Sequence, residues 1–549
     1  MNAAARADAP QTKVLLPFEY SWKDPDSRRV FQWRAEKLAS LRKHPRDFMW
    51  LRDWYKDHPA QFITDWGCTY DPRNIERGLP AMVPFILFPK QVAWIDWALD
   101  RWRASEPGLT EKSRDCGVSW LAMALSVHLC LYYPGIAIGF GSQKKDKVDR
   151  SNDPDALFFK GRYFLSHLPQ ELRGGWEVDK HSAEMRLWFP RMSSSIAGEA
   201  GDHIGRGGRK SIYFLDEAAH LEHPYTVESS LLSATNCRLD LSSVAGMANP
   251  FAQKRHLGKV KFFTFSWRDD PRKDQEWYEK LKGSSMQVAF NQDVEIDYLA
   301  STEGQLIKGA WVQAAVGALE KLGIQPTGIQ RGALDPADEG SATNAFAARH
   351  GVLLTALYEW RGRGSDLFET VQKTFTICDE QALDTFVYDA DGIGAGVRGD
   401  ARVINEQRKE RGDRWINDEP FHGSGAVDMP EAEQVPEKKN KNFFANLKAQ
   451  SWWAVRARFE MTYRAIVKGD KVDLDEILCL PAHLIDPYSN EDLLPRLLME
   501  LVQPRYKLNA TGKVVIDKAP DGMASPNLAD ALMMAFNPTL ALTEVWGRL

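Results

Sequence analysis

The sequence has few cysteines, no long uninterrupted apolar run and no large excess of charge of either sign. Its six cysteines are scattered without a C-x-x-C pair, which excludes a disulfide framework and a cysteine zinc site and fits a reducing cytosol. The N-terminal segment MNAAARADAPQTK lacks an apolar signal core. The longest apolar stretch, residues 118–140, is interrupted by polar residues, proline and glycine. It predicts a helix followed by a strand, with no membrane span.

The net charge of −5 excludes a chain coated in basic surface, so nucleic-acid binding would have to come from local patches. A length of 549 residues predicts two to four domains. Residues 1–60 are polar and rich in tryptophan, and they predict a small helical N-terminal lead-in without visible chemistry.

Two adjacent carboxylates follow a short apolar run in the sequence Ser211-Ile-Tyr-Phe-Leu-Asp216-Glu217. Such a run is typical of a buried parallel strand, and open α/β sheets bind ligands at the carboxyl ends of their strands. One carboxylate can hold Mg²⁺ and the other can polarise a water, which is the arrangement of a nucleoside triphosphatase. The alternative is a surface strand end with two solvated acids.

A candidate phosphate loop lies upstream, in residues 112–119. Compared with the pattern G-x-x-x-x-G-K-[ST], Val118 stands at the lysine position, and Lys112 or Arg114 can supply the positive charge instead. Gly117 allows close backbone approach, and Ser119 can ligate Mg²⁺ at the start of a predicted helix. The strand before this loop is weak, because Leu109 is its only large apolar residue. A plain turn into a helix is the alternative.

Two further polar residues have open roles. Gln91 stands at the start of a predicted amphipathic helix and could bind an adenine edge, or it could be an exposed helix-start residue. Asn249 follows another predicted strand and could sense a γ-phosphate, or it could form an ordinary Asn-Pro turn.

The pattern changes around residues 300–330, and the three short strands with tight turns that follow predict an antiparallel meander. Asp335 and Asp389 each follow a strand-like run, and Asp530 lies in the first turn of a predicted helix. Three acids from separate elements can converge to bind two divalent metals. Three unrelated turn or helix-start aspartates are the alternative.

As an ordered set, these motifs resemble the large terminase subunit of tailed bacteriophages, over about residues 85–540. The first half resembles the family ATPase through Gln91, the loop with its displaced lysine, and Leu215-Asp216-Glu217. The second half resembles the family nuclease through Asp335, Asp389 and Asp530 with their flanking residues.

The resemblance implies an α/β fold with three parts. The lead-in covers residues 1–60. An N-terminal P-loop (RecA-like) ATPase domain with a parallel sheet covers 61–325 and includes a small lid or linker near 260–325. A C-terminal RNase H-like nuclease domain covers 326–549. The family cuts concatemeric viral DNA and pumps it into a procapsid. Implied partners are double-stranded phage DNA, a portal ring, a small terminase subunit and further copies in a homo-oligomeric ring. The implied location is the host cytoplasm, on the procapsid portal during packaging and outside the mature virion.

The resemblance also implies roles for the residues. Lys112, Arg114, Gly117 and Gln91 would bind ATP, Ser119 and Asp216 would hold one Mg²⁺, and Glu217 would orient the attacking water. Asp335, Asp389 and Asp530 would hold two Mg²⁺ or Mn²⁺ ions for phosphodiester cleavage. One alternative is a nucleic-acid remodelling ATPase or helicase whose C-terminal half binds DNA without cutting. Another is a structural DNA-binding component of the capsid or portal.

Overall fold

The structure is a computed structural model that describes residues 14–247, 249–256, 258, 260–285, 287–298, 304–337, 343–362, 367–520 and 523–537. It divides the chain into a first unit, residues 1–245 and 249–298, and a second unit, residues 246–248 and 299–549. This division lies N-terminal to the boundary at 325 and 326 that the sequence predicts. No helix in the described ranges is long and apolar enough to cross a membrane.

The described helices of the first unit are α1 (Ser27–Lys43), α2 (Pro45–Tyr55), α3 (Pro59–Trp66), α4 (Pro89–Ala104), α5 (Val118–Tyr132), α6 (Lys145–Val148), α7 (Leu157–His167), α8 (Val178–His181), α9 (Pro224–Leu231), α10 (Pro250–His256), α11 (Gln275–Ser284) and α12 (Gln287–Asp293). Its strands are β1 (Cys68–Tyr70), β2 (Met82–Pro84), β3 (Gly108–Lys112), β4 (Ala137–Ser142), β5 (Ser182–Ala183), β6 (Arg186–Phe189), β7 (Ser194–Ala200), β8 (Ile212–Asp216), β9 (Arg238–Ser242) and β10 (Lys261–Phe265).

An eight-stranded sheet forms the centre of the described first unit, in the order β10-β3-β9-β8-β4-β7-β6-β5. The first six strands in this order run parallel, and β6 and β5 continue the sheet in antiparallel pairs. Parallel strands place their carboxyl ends on one edge, where α/β sheets bind ligands. Lys112, Asp216 and Ser242 are therefore neighbours there, because they end the adjacent strands β3, β8 and β9.

Strand β3 forms despite its weak sequence signal. It pairs with β10 on one side and with β9 on the other, and all five of its residues are buried. The hydroxyl of Thr110 accepts a hydrogen bond from the Trp94 indole at 2.9 Å. Glu111 is paired with Arg255 at 2.8 Å and accepts a hydrogen bond from Tyr298 at 2.9 Å. These partners satisfy polar groups that would otherwise be costly to bury.

Helix α5 is the central helix of the first core, because 13 of its residues are buried. The sequence predicts this helix and the strand after it, and the structure confirms both as α5 and β4. Within the described part of the predicted lead-in, α1 and α2 form, and α3 begins at its end, because Pro45 and Pro59 each begin a new helix. Tyr55 at the end of α2 lies in the same core as α5.

The described helices of the second unit are α13 (Gly309–Ala315), α14 (Ala318–Leu322), α15 (Leu367–Glu380), α16 (Val397–Arg411), α17 (Asn440–Phe443), α18 (Leu447–Tyr463), α19 (Leu494–Val502) and α20 (Asn527–Ala535). Its strands are β11 (Gln330–Asp335), β12 (Thr343–His350), β13 (Leu353–Arg361), β14 (Thr385–Asp389), β15 (Asn417–Phe421), β16 (Arg505–Leu508) and β17 (Val514–Asp517).

A mixed five-stranded sheet carries the second unit's described core, in the order β13-β12-β11-β14-β15. Strands β11, β12 and β13 form the antiparallel meander that the sequence predicts. Strand β14 then pairs with β11 in parallel, and β15 pairs with β14 in parallel. Because β11 and β14 are parallel neighbours, Asp335 and Asp389 at their last positions lie on one edge. Helix α20 packs against β11, β12 and β14 and brings Asp530 to the same region.

Candidate functional site

The candidate phosphate loop joins β3 to α5 at the carboxyl edge of the first sheet. Gly117 precedes α5 in the left-handed conformation, with φ of 77°, and no side chain caps the helix. The first-turn N–H groups of α5 are therefore available for an anion, which the helix dipole also attracts. The loop thus has the backbone of a phosphate site, and Ser119 lies in the first turn of its helix.

Lys112 connects this loop to the two carboxylates of β8. Its Nζ lies 3.0 Å from Oε1 of Glu217, and its side chain is only 9% exposed. Burial opposes a charged amine, but the carboxylates of Glu217 and Asp216 outweigh it and raise the pKa of Lys112. Burial also opposes the charge on Glu217, and Lys112 lowers its pKa in spite of it. The buried lysine is therefore a charged partner of the proposed catalytic acid.

Ser119 and Asp216 form the second connection between the loop and β8. The Ser119 hydroxyl donates to the Asp216 carboxylate, with oxygens 3.0 and 3.1 Å away. Burial and the neighbouring Glu217 raise the pKa of Asp216. A hydroxyl and a carboxylate this close together are the oxygen ligands that Mg²⁺ takes beside a nucleotide. The residues therefore fit one divalent cation.

Glu217 itself has a left-handed backbone, with φ of 55°. Its Oε2 accepts a hydrogen bond from Ser242 at 3.4 Å and lies 3.9 Å from Nε2 of His220. The side chain is 35% exposed, so water reaches the carboxylate. A solvated acid held by fixed neighbours can orient a water for attack.

The other predicted nucleotide residues are placed differently. Gln91 is buried, donates from Nε2 to the carbonyl of Cys116 at 3.3 Å, and accepts from the N–H of Phe88 at 3.3 Å. It is therefore not an exposed helix-start residue, and its adenine contact stays a prediction. Arg114 is 68% exposed and pairs with Asp293 at 2.9 Å, so it lies at the rim.

Asn249 caps a helix in the structure. It is buried, and its Oδ1 accepts a hydrogen bond from the N–H of Ala252 at 3.0 Å in the first turn of α10. Its Nδ2 donates to the carbonyl of Ala245 at 3.1 Å. These bonds agree with a helix-capping turn, and a role in sensing phosphate stays a prediction.

The three aspartates of the second unit converge. Asp335 and Asp530 are buried, with 7% and 3% of their surfaces exposed. Burial, Asp530 and Asp389 raise the pKa of Asp335 well above its ordinary value, although Lys518 opposes the shift. Burial and Asp530 also raise the pKa of Asp389. The structure thus brings the three acids close enough for their charges to interact, and their role as metal ligands stays a prediction.

These acids fit divalent cations by their chemistry. Asp335 and Asp389 end neighbouring strands, and Asp530 lies on α20, which packs against both strands. Lys518 donates to Asp530 at 2.5 Å. Hard cations such as Mg²⁺ and Mn²⁺ prefer carboxylate oxygen, and their charge offsets the repulsion among the carboxylates. Among the described residues, no group of three histidine, cysteine or acidic side chains is already gathered tightly enough to enclose a metal ion.

Comparison with known proteins identifies the family. No protein-family model and no curated protein matches the chain. Among solved structures, the nuclease domain of the large terminase subunit gp2 of bacterial virus Sf6 is 32% identical, with a TM-score of 0.37. The match covers 42% of this chain and 97% of that domain. The chain belongs to the large terminase subunits.

Two whole large terminases also match with lower identity. The HK97 bacteriophage enzyme is 13% identical over 87% of this chain and 98% of its own, with a TM-score of 0.42. A thermophilic bacteriophage enzyme in complex with ADP is 12% identical over 82% of this chain and 100% of its own, with a TM-score of 0.32. The predicted α/β fold class is confirmed, with a largely parallel sheet in the first unit and a mixed sheet in the second.

Lys518 and Glu500 lie near these aspartates, and local sequence patterns do not identify them. Lys518 follows β17 and donates to Asp530, and burial opposes its charge while Asp530 raises its pKa. Glu500 at the end of α19 accepts a hydrogen bond from the N–H of Ala529 at 3.1 Å, and burial raises its pKa to about 7. Neither had a usable sequence signal, because each is a single charged residue in an unremarkable pattern.

Proposed function

We propose that this large terminase subunit hydrolyses ATP in its first unit and cuts DNA in its second unit, as the motor of viral DNA packaging. The ATPase proposal rests on one observation, the two contacts that join the phosphate loop to the acids of β8. Lys112 contacts Glu217, and Ser119 contacts Asp216. No feature of the described residues favours a non-cutting remodelling enzyme or a structural capsid component.

In the ATPase mechanism, Lys112 exchanges partners. Its amine neutralises Glu217 before phosphate arrives, and the triphosphate competes for the same amine. Glu217 is then free to orient the attacking water, while the loop N–H groups and Gly117 bind phosphate oxygens. Ser119 and Asp216 would hold one Mg²⁺, which supplies charge neutralisation at the phosphates when it is bound. Arg114 lies at the rim of this site, and Gln91 lies behind its loop.

In the nuclease mechanism, three acids define the reaction centre. Asp335, Asp389 and Asp530 would hold two Mg²⁺ or Mn²⁺ ions, which supply an activated water and stabilise the leaving oxygen when bound. The Trp452 indole donates to Asp530 at 3.3 Å, and Lys518 donates to its other oxygen. These two bonds fix the orientation of a carboxylate on a helix, beside two carboxylates fixed on strands.

The proposal also includes the substrate, the partners and the location of the motor. The DNA substrate is double-stranded phage DNA, and the partners are a portal ring, a small terminase subunit and further copies of this chain in a ring. The work takes place in the host cytoplasm, on the portal of the procapsid. The domain division at 61–325 and 326–549 is proposed to separate the two activities, after the lead-in at 1–60.

Paired assays on the full chain test this function. The parent protein should release phosphate from ATP and digest plasmid DNA with Mg²⁺ or Mn²⁺. Ser119→Ala should lose phosphate release and retain digestion, and Asp335→Asn should do the reverse, because the two sites share no residue. If the parent releases phosphate but digests no DNA with any divalent metal, the result favours the remodelling alternative. If the parent protein shows neither phosphate release nor digestion, the proposal is rejected.

A further inference from the structure

The side chains behind the phosphate loop hold its peptide groups in one orientation. We propose that Gln91, Arg272 and Lys273 are positioning residues that turn the carbonyl groups of residues 114–116 away from the phosphate side of the loop. This inference rests on the ATP site proposed above. It also gives Gln91 a role that does not depend on the identity of the nucleotide base.

Three successive carbonyl groups each have a side-chain donor. Lys273 donates from Nζ to the carbonyl of Arg114 at 2.7 Å. Arg272 donates from Nη2 to the carbonyl of Asp115 at 3.1 Å. Gln91 donates from Nε2 to the carbonyl of Cys116 at 3.3 Å.

The opposite side of these peptides is thereby free for an anion. In a trans peptide the N–H points away from the preceding carbonyl, so the N–H groups of residues 115–117 point away from the three donors. In the described ranges, none of these three N–H groups has a protein acceptor. Asp115 and Gly117 both have left-handed backbones, with φ of 60° and 77°. Left-handed residues in such a loop bring consecutive N–H groups together in an anion-binding concavity.

The donors are themselves held in place by packing and charge. Asp270 is fully buried and pairs with Arg272 at 2.6 Å. The Lys273 side chain is only 7% exposed and lies 3.8 Å from the same carboxylate. The Arg272 guanidinium also lies 5.7 Å from the centre of the Phe88 ring, directly before α4. The donors therefore come from two segments that contact each other, the start of α4 and the chain after β10.

This arrangement compensates for the missing loop lysine. Val118 occupies the usual lysine position and is 2% exposed, so no cation comes from that residue. Lys112 is shared with Glu217. The backbone N–H groups must therefore contribute a larger part of the phosphate affinity than in a loop with its own lysine, and their direction becomes correspondingly important.

The test compares three ligands by titration calorimetry with Mg²⁺: ATP, GTP and inorganic tripolyphosphate. The full-length variants are Gln91→Met and Lys273→Met, which keep side-chain length and remove the donor. Lys273→Arg keeps a donor, and Lys280→Met is the control, because Lys280 is exposed on α11. One hydrogen bond of this kind corresponds to about a tenfold change in affinity. Melting temperatures are recorded for every variant.

We expect Gln91→Met and Lys273→Met to weaken all three ligands by similar factors of about tenfold. Lys273→Arg should recover most of the loss, and Lys280→Met should bind as the parent does. A Gln91→Met variant that loses only ATP affinity would show base recognition and overturn the proposal. Unchanged affinities in both variants would also overturn it. If Lys273→Met does not fold, the three-ligand comparison on Gln91→Met decides. A parent that binds none of the ligands would instead reject the ATP site itself.

Discussion

Replacing Lys112 by methionine should destabilise the first unit and abolish ATP turnover for one electrostatic reason. Lys112→Met leaves Asp216 and Glu217 adjacent without their cation. The Nζ to Oε1 distance of 3.0 Å corresponds to an attraction of about 5 kcal/mol at an effective dielectric constant of about 20. Desolvation of the buried amine offsets much of this attraction.

The exposure of Lys112 and Glu217 determines the net coupling free energy between them. The lysine side chain is 9% exposed and the glutamate side chain is 35% exposed, so the pair is intermediate between buried and surface pairs. We therefore expect a net coupling of about 2 kcal/mol, below the ~3–5 kcal/mol loss typical of a fully buried pair. The exposed ion pair between Lys261, the first residue of β10, and Glu106, just before β3, is a matched control. Removing Lys261 should cost less than about 1 kcal/mol.

Urea unfolding of the full chain measures this coupling as a double-mutant cycle. The variants are Lys112→Met, Glu217→Gln and the double variant, with Lys261→Met as the control. The transition that an ATP analogue shifts to higher urea belongs to the first unit. The double variant should be about 2 kcal/mol more stable than the sum of the single losses predicts. A coupling below about 0.5 kcal/mol, or a larger loss in Lys261→Met, would refute the electrostatic reasoning.

Three further predictions follow from other parts of the structure. Glu217→Gln should bind ATP and lose turnover by about a hundredfold or more, measured by phosphate release, because the neutral amide orients water poorly. Asp389→Asn should lose plasmid digestion with Mg²⁺ or Mn²⁺ and keep phosphate release, because it removes charge from the second unit's acids alone. Acid should destabilise the first unit through His128. This residue is buried and donates from Nε2 to the carbonyl of Tyr55 at 2.7 Å. Burial lowers the pKa of His128 to about 4. Because His128 stays neutral in the folded state but is protonated in the unfolded chain below about pH 6.5, the free energy of unfolding falls as the pH falls from 6.5 toward 4. Urea unfolding should show a loss of roughly 1 kcal/mol between pH 7.5 and 5.5.

Each of these predictions has a result that contradicts it. Near-parental turnover in Glu217→Gln would remove that residue from catalysis. Undiminished digestion by Asp389→Asn would remove it from the nuclease centre, and loss of both activities would indicate misfolding. For the acid effect, His128→Gln keeps a donor but does not titrate in this range. The same pH slope in parent and variant would show that other groups cause the loss.

The elements with strong local patterns are predictable from the sequence. The apolar run that ends at Asp216 predicts β8, and residues 118–140 predict α5 and β4, because burial and periodicity are local properties of the chain. The three closely spaced runs after residue 325 predict the meander. The sequence also indicates the residues at strand ends, including Asp335 and Asp389, because α/β sheets bind ligands at the carboxyl ends of their strands.

Which groups face each other depends on the folded arrangement of the strands and loops. Strand β3 has one large apolar residue and forms because β10 and β9 pair with it on both sides. Lys112 meets Glu217 across 105 positions of sequence, and Lys273 reaches the carbonyl of Arg114 across 159. Such contacts depend on the order of strands and the direction of loop peptides. No periodicity encodes either property, because single donors and acceptors leave no repeating pattern in the chain.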